Sequence, residues 1–178
     1  MAILKIARMG HPVLLQRAQP VADPDDPALQ RLIDDMIETM EDAGGAGLAA
    51  PQVHVSLRMF VFRVPAARAT GEADDAEMGN TVAINPEVTP LSDTMQDGWE
   101  GCLSIPGLQA AVPRFARVRY RGLGRDGAPF ERDAGGFHAR VVQHEADHLD
   151  GILYTMRMSD FSWFGFNEEL ARAAEARS

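Results

Sequence analysis

The length, composition and charge of the chain limit the classes of protein to which it can belong. Its 178 residues are enough for one compact domain with a real hydrophobic core, and we expect a single domain over residues 1–178. Apolar residues make up 46% and charged residues 24%, which is ordinary for a globular protein. A net charge of −9 argues against nucleic acid as the main ligand, because phosphate binding needs a basic surface.

Cysteine usage and the absence of targeting signals favour a cytoplasmic protein. No apolar run approaches the roughly 18 residues that a membrane-spanning helix needs, so we expect no membrane partner. The N-terminal residues carry cations but neither an apolar signal-peptide core nor a small-residue cleavage site, so we expect no secretory signal. The single cysteine, Cys102, cannot form an internal disulfide, which is typical of a reducing compartment. Its thiol is therefore available for another role.

The first half of the chain contains one clear helical pattern. A short helix or turn is expected at His11–Ala18. Apolar residues recur at spacings of three and four over Pro27–Asp42, which predicts an amphipathic helix that ends before the Gly44-Gly45 pair. The segment Arg58–Val64 is rich in β-branched and aromatic side chains and predicts a strand. The polar, Ala- and Gly-rich stretch that follows, Pro65–Asn80, is expected to be an exposed loop.

The second half combines further strands with two helices. Turn signals such as Arg125-Asp126-Gly127 separate three more predicted strands, Thr81–Val88, Ala116–Gly122 and Pro129–Asp133. A long helix is expected over Phe137–Asp150, where Gly151 ends it, and a C-terminal helix over Phe166–Arg177. Because strands and helices do not alternate as βαβ units, we expect an α+β fold in which mostly antiparallel strands pack around the Phe137–Asp150 helix.

The strongest chemical signal lies in that central helix. Residues His144–His148 form an H-E-x-x-H motif. At about 100° per residue, the two histidines lie about 40° apart on one helix face and can share one metal ion. Glu145 lies on the flank of this face, where it can act as a base without being a ligand. Phe137 and Val141 continue the same stripe, so the histidines are expected to face the protein interior.

Two residues are candidates for the third protein ligand that a catalytic metal site usually has. Cys102 lies in the segment Glu100–Ser104, and Glu168 follows His148 by 20 residues, a spacing that thermolysin-like peptidases also use. A zinc endopeptidase would combine Glu168 with both histidines, but it would leave Glu100–Ser104 and Gly45–Gln52 unexplained. A zinc-stabilised binding domain without activity would need a fourth protein ligand, and no further residue is spaced for that role.

Three motifs together resolve this choice through a family resemblance. The segment Gly45–Gln52 (GAGLAAPQ) is, by itself, equally compatible with a backbone that faces a ligand and with a tight turn into a buried strand. Followed by Glu100–Ser104 (EGCLS) and Gln143–His148 (QHEADH), it resembles the pattern of peptide deformylases, and the similarity extends over about Leu4–Met156. The resemblance implies removal of the N-formyl group from the initiator methionine of new polypeptides, with release of formate. It also implies one divalent metal ion, Fe²⁺ in the cell, for which Zn²⁺, Ni²⁺ or Co²⁺ can substitute.

The resemblance implies a role for residues in each motif. Glu145 would be the general base, and the Gln52 side-chain amide and the Leu103 backbone N–H would donate to the oxyanion that forms on the formyl group. Glu100 and Asp147 are candidates for contacts that orient a ligating imidazole or a nearby cation. A thiolate and two neutral imidazoles leave a fourth tetrahedral position for water. The implied metal ligands are Cys102, His144 and His148.

Residues beside the motifs are candidates for substrate binding. Phe137 and Val141 are expected to form the wall of an apolar slot for the methionine side chain. The Gly45–Gly47 segment is expected to pair with the substrate backbone as an added strand. Trp99 could also contribute to this slot, although a buried structural aromatic is the expected role. The expected partners are N-formyl-methionyl peptides, including those that emerge at the ribosome, and we predict no direct nucleic-acid site.

Overall fold

The computed structural model describes residues 2–176, and these contain three α-helices and eight β-strands. The helices are α1 (Pro27–Asp42), α2 (Gly136–Leu149) and α3 (Asn167–Glu175). The strands are β1 (Gly47–Ala49), β2 (Met59–Val64), β3 (Met78–Pro90), β4 (Met95–Cys102), β5 (Ile105–Phe115), β6 (Arg117–Leu123), β7 (Pro129–Gly135) and β8 (Phe164–Phe166). None of the helices in residues 2–176 combines the length and the apolar character that a membrane-spanning helix needs.

The strands form two antiparallel sheets, and this confirms the predicted α+β class. The larger sheet has the order β1-β2-β3-β6-β7, and the smaller sheet has the order β4-β5-β8. Strand β1 is an outer strand of the larger sheet and pairs only with β2. Its other edge is therefore not paired with any strand in the described part of the chain.

The central position of α2 follows from the alternation of side chains along β2. Phe60 and Phe62 pack in one core cluster with Val142 of α2. Met59 and Val61 pack in a second cluster, which contains the buried face of α1. Because successive side chains of a strand point to opposite faces, the larger sheet lies between α1 and α2.

The four predicted strands correspond to β2, β3, β6 and β7, whereas β1, β4, β5 and β8 are not among the predicted strands. Strand β4 is rich in glycine and polar residues, and β5 contains Pro106 and Pro113, which normally count against a strand. Strand β8 pairs only with Leu108–Ala110 of β5. Among the described residues, no strand therefore lies next to Pro106 or Pro113 on the edge of β5 that pairs with β8. Proline, which lacks a backbone N–H, is tolerated at such an unpaired edge.

The sequence predicts that Pro65–Asn80 is an exposed loop, but β3 begins within this stretch at Met78, and part of the remaining loop is buried. Asp75 is 1% exposed, and its Oδ1 accepts a hydrogen bond from the backbone N–H of His138 at 2.8 Å. It thereby satisfies a donor in the first turn of α2, a helix whose N-cap, Gly135, has no side chain for this purpose. The cap comes from 63 residues away, so local sequence patterns do not reveal it.

The ends of the remaining elements differ slightly from the predictions. The expected helix at His11–Ala18 is a single 3₁₀ turn at Pro12–Leu15. The C-terminal helix begins after Phe166 because Phe164–Phe166 form β8. Its predicted end, Arg177, lies outside the described residues.

Candidate active site

Three side chains from two elements meet at one point. His144 and His148 lie one turn apart on α2, and Cys102 lies at the end of β4. The ligand atoms of the three residues all lie within 4.8 Å of one another, and Cys102 Sγ is 3.3 Å from His148 Nε2. In residues 2–176, no other set of three or more His, Cys, Asp or Glu side chains is close enough to hold a metal ion. This group is a metal site.

Glu168 does not belong to this site. It is exposed in the first turn of α3 and is not part of the ligand group. Acidic residues in the first turn of a helix are explained by the helix dipole alone. The alternative in which Glu168 completes a peptidase site is therefore wrong.

The donor set fits a divalent metal ion. Cys102 Sγ accepts hydrogen bonds from Gln52 Nε2 and from the Ser104 backbone N–H, both at 3.4 Å, and these contacts hold the sulfur beside the histidines. Burial lowers the pKa of His148, which keeps this imidazole in the neutral form that binds metals. Burial also opposes protonation of His144, but hydrogen bonds to Cys102 and Glu100 outweigh it and raise the pKa of His144. The surroundings of His144 therefore favour a positive charge between the Cys102 sulfur and the two imidazoles. A bound metal cation would provide this charge.

Glu100 fixes the orientation of His144, as the sequence suggests. Its Oε2 accepts a hydrogen bond from His144 Nδ1 at 2.8 Å, which leaves Nε2 for the metal. Burial alone would raise the pKa of Glu100, but hydrogen bonds from Arg114 and His144 hold it well below its ordinary value. The carboxylate is therefore ionised. Arg114 also donates to Asp147 at 2.5 Å, so both predicted orienting carboxylates contact the same cation.

The carboxylate of Glu145 lies beside β1 and outside the ligand group. It is buried, and burial raises the pKa of Glu145 to about 7. Its Oε2 has no hydrogen-bond partner among the described residues. Gly47 allows this position, because a Cβ atom added there would overlap the Glu145 carboxylate. The glycine is thus required for the close approach of β1 to the predicted base.

The amide of Gln52 is held with its NH₂ group towards Cys102. Gln52 lies in a buried 3₁₀ turn, and its Oε1 accepts a hydrogen bond from the Ala49 backbone N–H at 2.8 Å. Because a backbone N–H can only donate, this contact fixes which end of the amide carries the oxygen. Nε2 then donates to Cys102 Sγ and, at 3.1 Å, to Ser104 Oγ. Leu103 follows Cys102 in the turn between β4 and β5.

One cleft of about 720 Å³ brings most of the predicted site residues together. Its lining includes Gly45, Gly47, Gln52, Cys102, Leu103, Phe137, Val141, His144 and Glu145. His148 is buried behind this lining. Trp99 also lines the cleft and is 42% exposed, so its prediction as a buried structural aromatic is wrong. Its ring contacts Trp163 edge-on, with the ring centroids 6.0 Å apart, so it is covered only in part.

Sequence reasoning missed three arginines that line the cleft, Arg63, Arg68 and Arg140. Arg63 Nε donates a hydrogen bond to Gly45 O at 3.0 Å. Arg68, from the loop after β2, places its guanidinium carbon 4.0 Å from the centroid of the Phe137 ring. Arg140 lies on α2 four residues before His144 and bonds to β4 and β5. Because Arg140 precedes His144 by four residues, both lie on the same face of α2, and this spacing could have been recognised in the sequence. Nothing in the sequence indicates the position of Arg68.

Comparisons with known proteins agree with this geometry. The family model for polypeptide deformylase matches residues 3–162. The chain is 52% identical over 168 residues to peptide deformylase 2 of Ralstonia nicotianae, with 94% of both chains covered. It is 51% identical over 165 residues to peptide deformylase 1 of Bordetella pertussis, with 93% of both covered.

Solved structures show the same likeness in three dimensions. A Met-Ala-Ser-bound crystal structure of the class I type b peptide deformylase from Acinetobacter baumannii has a TM-score of 0.79 at 38% identity, with 88% of this chain and 99% of that chain covered. The peptide deformylase of Ehrlichia chaffeensis in complex with actinonin has a TM-score of 0.84 at 31% identity, with 100% and 99% covered. The chain therefore belongs to the polypeptide deformylase family, and it is a metallo-hydrolase that removes the N-formyl group from nascent polypeptides.

Proposed function

We propose that the chain deformylates N-formyl-methionyl peptides with Glu145 as its general base and with Gln52 and Leu103 as oxyanion donors. One observation carries this proposal: two groups lie beside the metal site in a single cleft. One is the buried carboxylate of Glu145, whose Oε2 has no hydrogen-bond partner among the described residues, and the other is the Gln52 NH₂ group, which points to Cys102 Sγ. The proposed metal ligands are Cys102, His144 and His148.

We further propose that the ion is Fe²⁺ in the cell, with Zn²⁺, Ni²⁺ or Co²⁺ able to substitute, because thiolate and imidazole ligands suit these metals. Cys102, His144 and His148 would hold the ion, which would supply Lewis-acid chemistry: a lower pKa of the attacking water, towards about 7, and polarisation of the formyl carbonyl. The residues of the chain supply proton transfer, charge stabilisation and substrate alignment.

Glu145 moves the proton in this mechanism. Its Oε2, which has no partner in the described residues, accepts the proton of the attacking water. As the C–N bond of the formamide breaks, the same oxygen donates that proton to the departing amino nitrogen of methionine. Formate and a free N-terminus result. A pKa raised towards neutrality by burial suits a group that must both accept and release a proton.

Gln52 and Leu103 stabilise the negative charge that develops on the formyl oxygen. The Gln52 NH₂ group is preorganised by the hydrogen bond from Ala49 to its oxygen, so it needs no reorientation when the charge appears. The backbone N–H of Leu103 follows directly after the ligand Cys102. One short turn thus supplies both a ligand and an oxyanion donor.

Gln52→Leu is expected to lower kcat by about 10²–10³-fold with a smaller change in KM, because the oxyanion exists only near the transition state. Steady-state kinetics with a formyl-Met peptide would measure both constants. Metal content should be measured in parallel, since Gln52 also donates to Cys102 Sγ. An unchanged kcat at full metal content would remove Gln52 from the mechanism.

The substrate backbone is proposed to align along Gly45–Gly47, which lines the cleft and leads into the outer strand β1 at Gly47. The methionine side chain would then lie against Phe137 and Val141. The Met-Ala-Ser ligand of the Acinetobacter baumannii relative has the sequence of a deformylated product, and this supports a peptide in the corresponding cleft here.

Val141→Trp is expected to reduce kcat/KM for a formyl-Met peptide more than for a formylated peptide that begins with a small residue. The added ring would occupy the space that the methionine side chain needs, whereas a small side chain leaves that space free. A competition assay that contains both peptides measures the ratio directly. Equal losses on the two substrates would indicate general misfolding rather than a pocket wall.

Formate release from formyl-Met-Ala-Ser, combined with elemental analysis, tests the proposed function. We expect formate and a free amine in equal amounts, with turnover proportional to the bound metal. An N-acetylated peptide of the same sequence serves as a control for specificity towards the formyl group. Cleavage of internal peptide bonds without formate release would support a peptidase instead.

We also propose that the substrates are met in the cytoplasm, as chains emerge at the ribosome. N-formyl groups occur at the start of new chains, and an unprotected thiolate ligand suits a reducing compartment. Co-sedimentation with translating ribosomes tests this location, and recovery of the protein only outside the cytoplasm contradicts it.

A further inference from the structure

The metal ligands belong to two elements that are distant in sequence, and their alignment needs explanation. His144 and His148 are fixed relative to each other by the geometry of α2. Cys102 lies at the end of β4, which belongs to the smaller sheet, whereas α2 packs mainly on the larger sheet. The position of the sulfur therefore depends on how β4 is held against α2.

Helix α2 and strand β4 face each other as two matched rows. On the helix, Arg140, His144 and His148 recur every four residues, and on the strand, Gly98, Glu100 and Cys102 recur every two. Four helical residues rise about 6 Å and two strand residues about 6.6 Å, so the rows stay in step. The contacts are Arg140 with Gly98, His144 with Glu100, and His148 with Cys102.

Arg140 makes the first contact of this ladder, and its guanidinium holds both strands of the β4–β5 hairpin. Nη1 donates to Val112 O at 2.8 Å, to Glu100 Oε1 at 2.9 Å and to Gly98 O at 3.3 Å, and Nη2 donates to Gln96 O at 2.7 Å. Gly98 and Val112 are paired across the two strands, so the guanidinium fixes the hairpin at one level. Its side chain is only 13% exposed, which strengthens these bonds relative to surface contacts.

The position of the Arg140 guanidinium requires a glycine at residue 98. A Cβ atom added at Gly98 would lie 2.6 Å from the guanidinium carbon of Arg140, closer than any real side chain could approach. Gly98 has no left-handed backbone angle that would otherwise call for glycine. The absence of a side chain therefore serves close contact between the strand and the arginine.

We propose that Arg140 is a positioning residue that sets the register of β4 against α2 and so places the Cys102 sulfur opposite His144 and His148. This inference rests on the proposed ligand set. Arg140 does not need to touch the metal or the substrate for this role. Removing it leaves Glu100 paired with Arg114, so the charge of Glu100 stays balanced while the backbone of β4 is released.

The test measures how fast the holoenzyme loses its metal to a chelator, together with the thiolate-to-Co²⁺ absorption of the cobalt-loaded protein. Arg140→Ala is expected to lose metal about 10–100-fold faster, the range found when groups that support metal ligands are removed, and to show altered absorption. Gly98→Ala keeps every charge and should shift both readouts in the same direction. Arg140→Lys, which cannot reach four acceptors, should fall between Arg140→Ala and the unsubstituted chain.

Two controls separate this role from general destabilisation. Arg119→Ala removes a guanidinium that bonds to Asp133 on the larger sheet, and Gly79→Ala adds a Cβ in open space. Both should leave metal loss within about twofold of the unsubstituted chain, even if the melting temperature falls.

Metal loss within twofold and unaltered cobalt absorption in Arg140→Ala overturn the proposal. If Arg140→Ala does not fold, Arg140→Lys and Gly98→Ala decide by the same limit. Absence of thiolate-to-Co²⁺ absorption in the unsubstituted chain overturns the ligand set itself, and this outcome is distinct from a failure of Arg140 alone.

Discussion

Cys102→Ala is expected to abolish deformylation and most metal binding, whereas Glu168→Ala should leave both near those of the unsubstituted chain. Alanine removes the thiolate, and two imidazoles alone hold a divalent ion far more weakly than three ligands. Glu168 is exposed on α3 and is absent from the ligand group, so its loss should affect neither property. Elemental analysis after gel filtration and formate release measure the two effects.

The pair of variants distinguishes the two metal sites considered from the sequence. Ser104→Ala is a useful matched control, because it changes the same turn and removes an acceptor of Gln52 but leaves the sulfur in place. Its metal content should remain close to that of the unsubstituted chain. An active Cys102→Ala together with an inactive Glu168→Ala would falsify the proposed ligand set.

Glu145→Gln is expected to lower kcat by about 10²–10⁴-fold while the bound metal is retained. Glutamine has nearly the same shape, but it cannot accept a proton from water and return it to the leaving amine. Because Glu145 lies outside the ligand group, the metal content should not change. Formate release per bound ion is the appropriate measurement.

Glu145→Asp provides the matched comparison, since it keeps the acid but shortens the side chain by one methylene. It should recover part of the lost turnover if proton transfer is the function of this residue. Loss of metal alongside loss of activity in Glu145→Gln would instead indicate that the carboxylate supports the site structurally.

The site could be predicted from sequence where its geometry is local. His144 and His148 stand four residues apart, and any helix brings such residues onto one face, so their partnership needed no knowledge of the rest of the fold. The position of Cys102 in the same site was implied by the order of the three motifs. The ligand atoms of the cysteine and the two histidines lie within 4.8 Å of one another only because β4 packs against α2. No periodic pattern in the sequence predicts this packing.

The parts that escaped prediction depend on contacts between distant segments. Strands β4 and β5 have glycines, prolines and polar residues, and they are strands because they pair with each other rather than because of their composition. Asp75 looks like one acid in a polar loop, yet it caps α2 across the fold. Arg140 shares the helical spacing of the histidines, but its partners on β4 become visible only once the register of the hairpin is known.

The tight packing of Gly47 on Glu145 also constrains how the enzyme could become resistant to an inhibitor. A compound that contacts the main chain at Gly47 binds a surface that substitution cannot change without loss of activity. Any side chain added at Gly47 would displace the Glu145 carboxylate, and turnover would then be lost. Resistance must therefore arise on another wall of the cleft, where Phe137 and Val141 present side chains that can be exchanged. Compounds that gain their affinity from Gly47 rather than from that wall leave fewer viable escape substitutions.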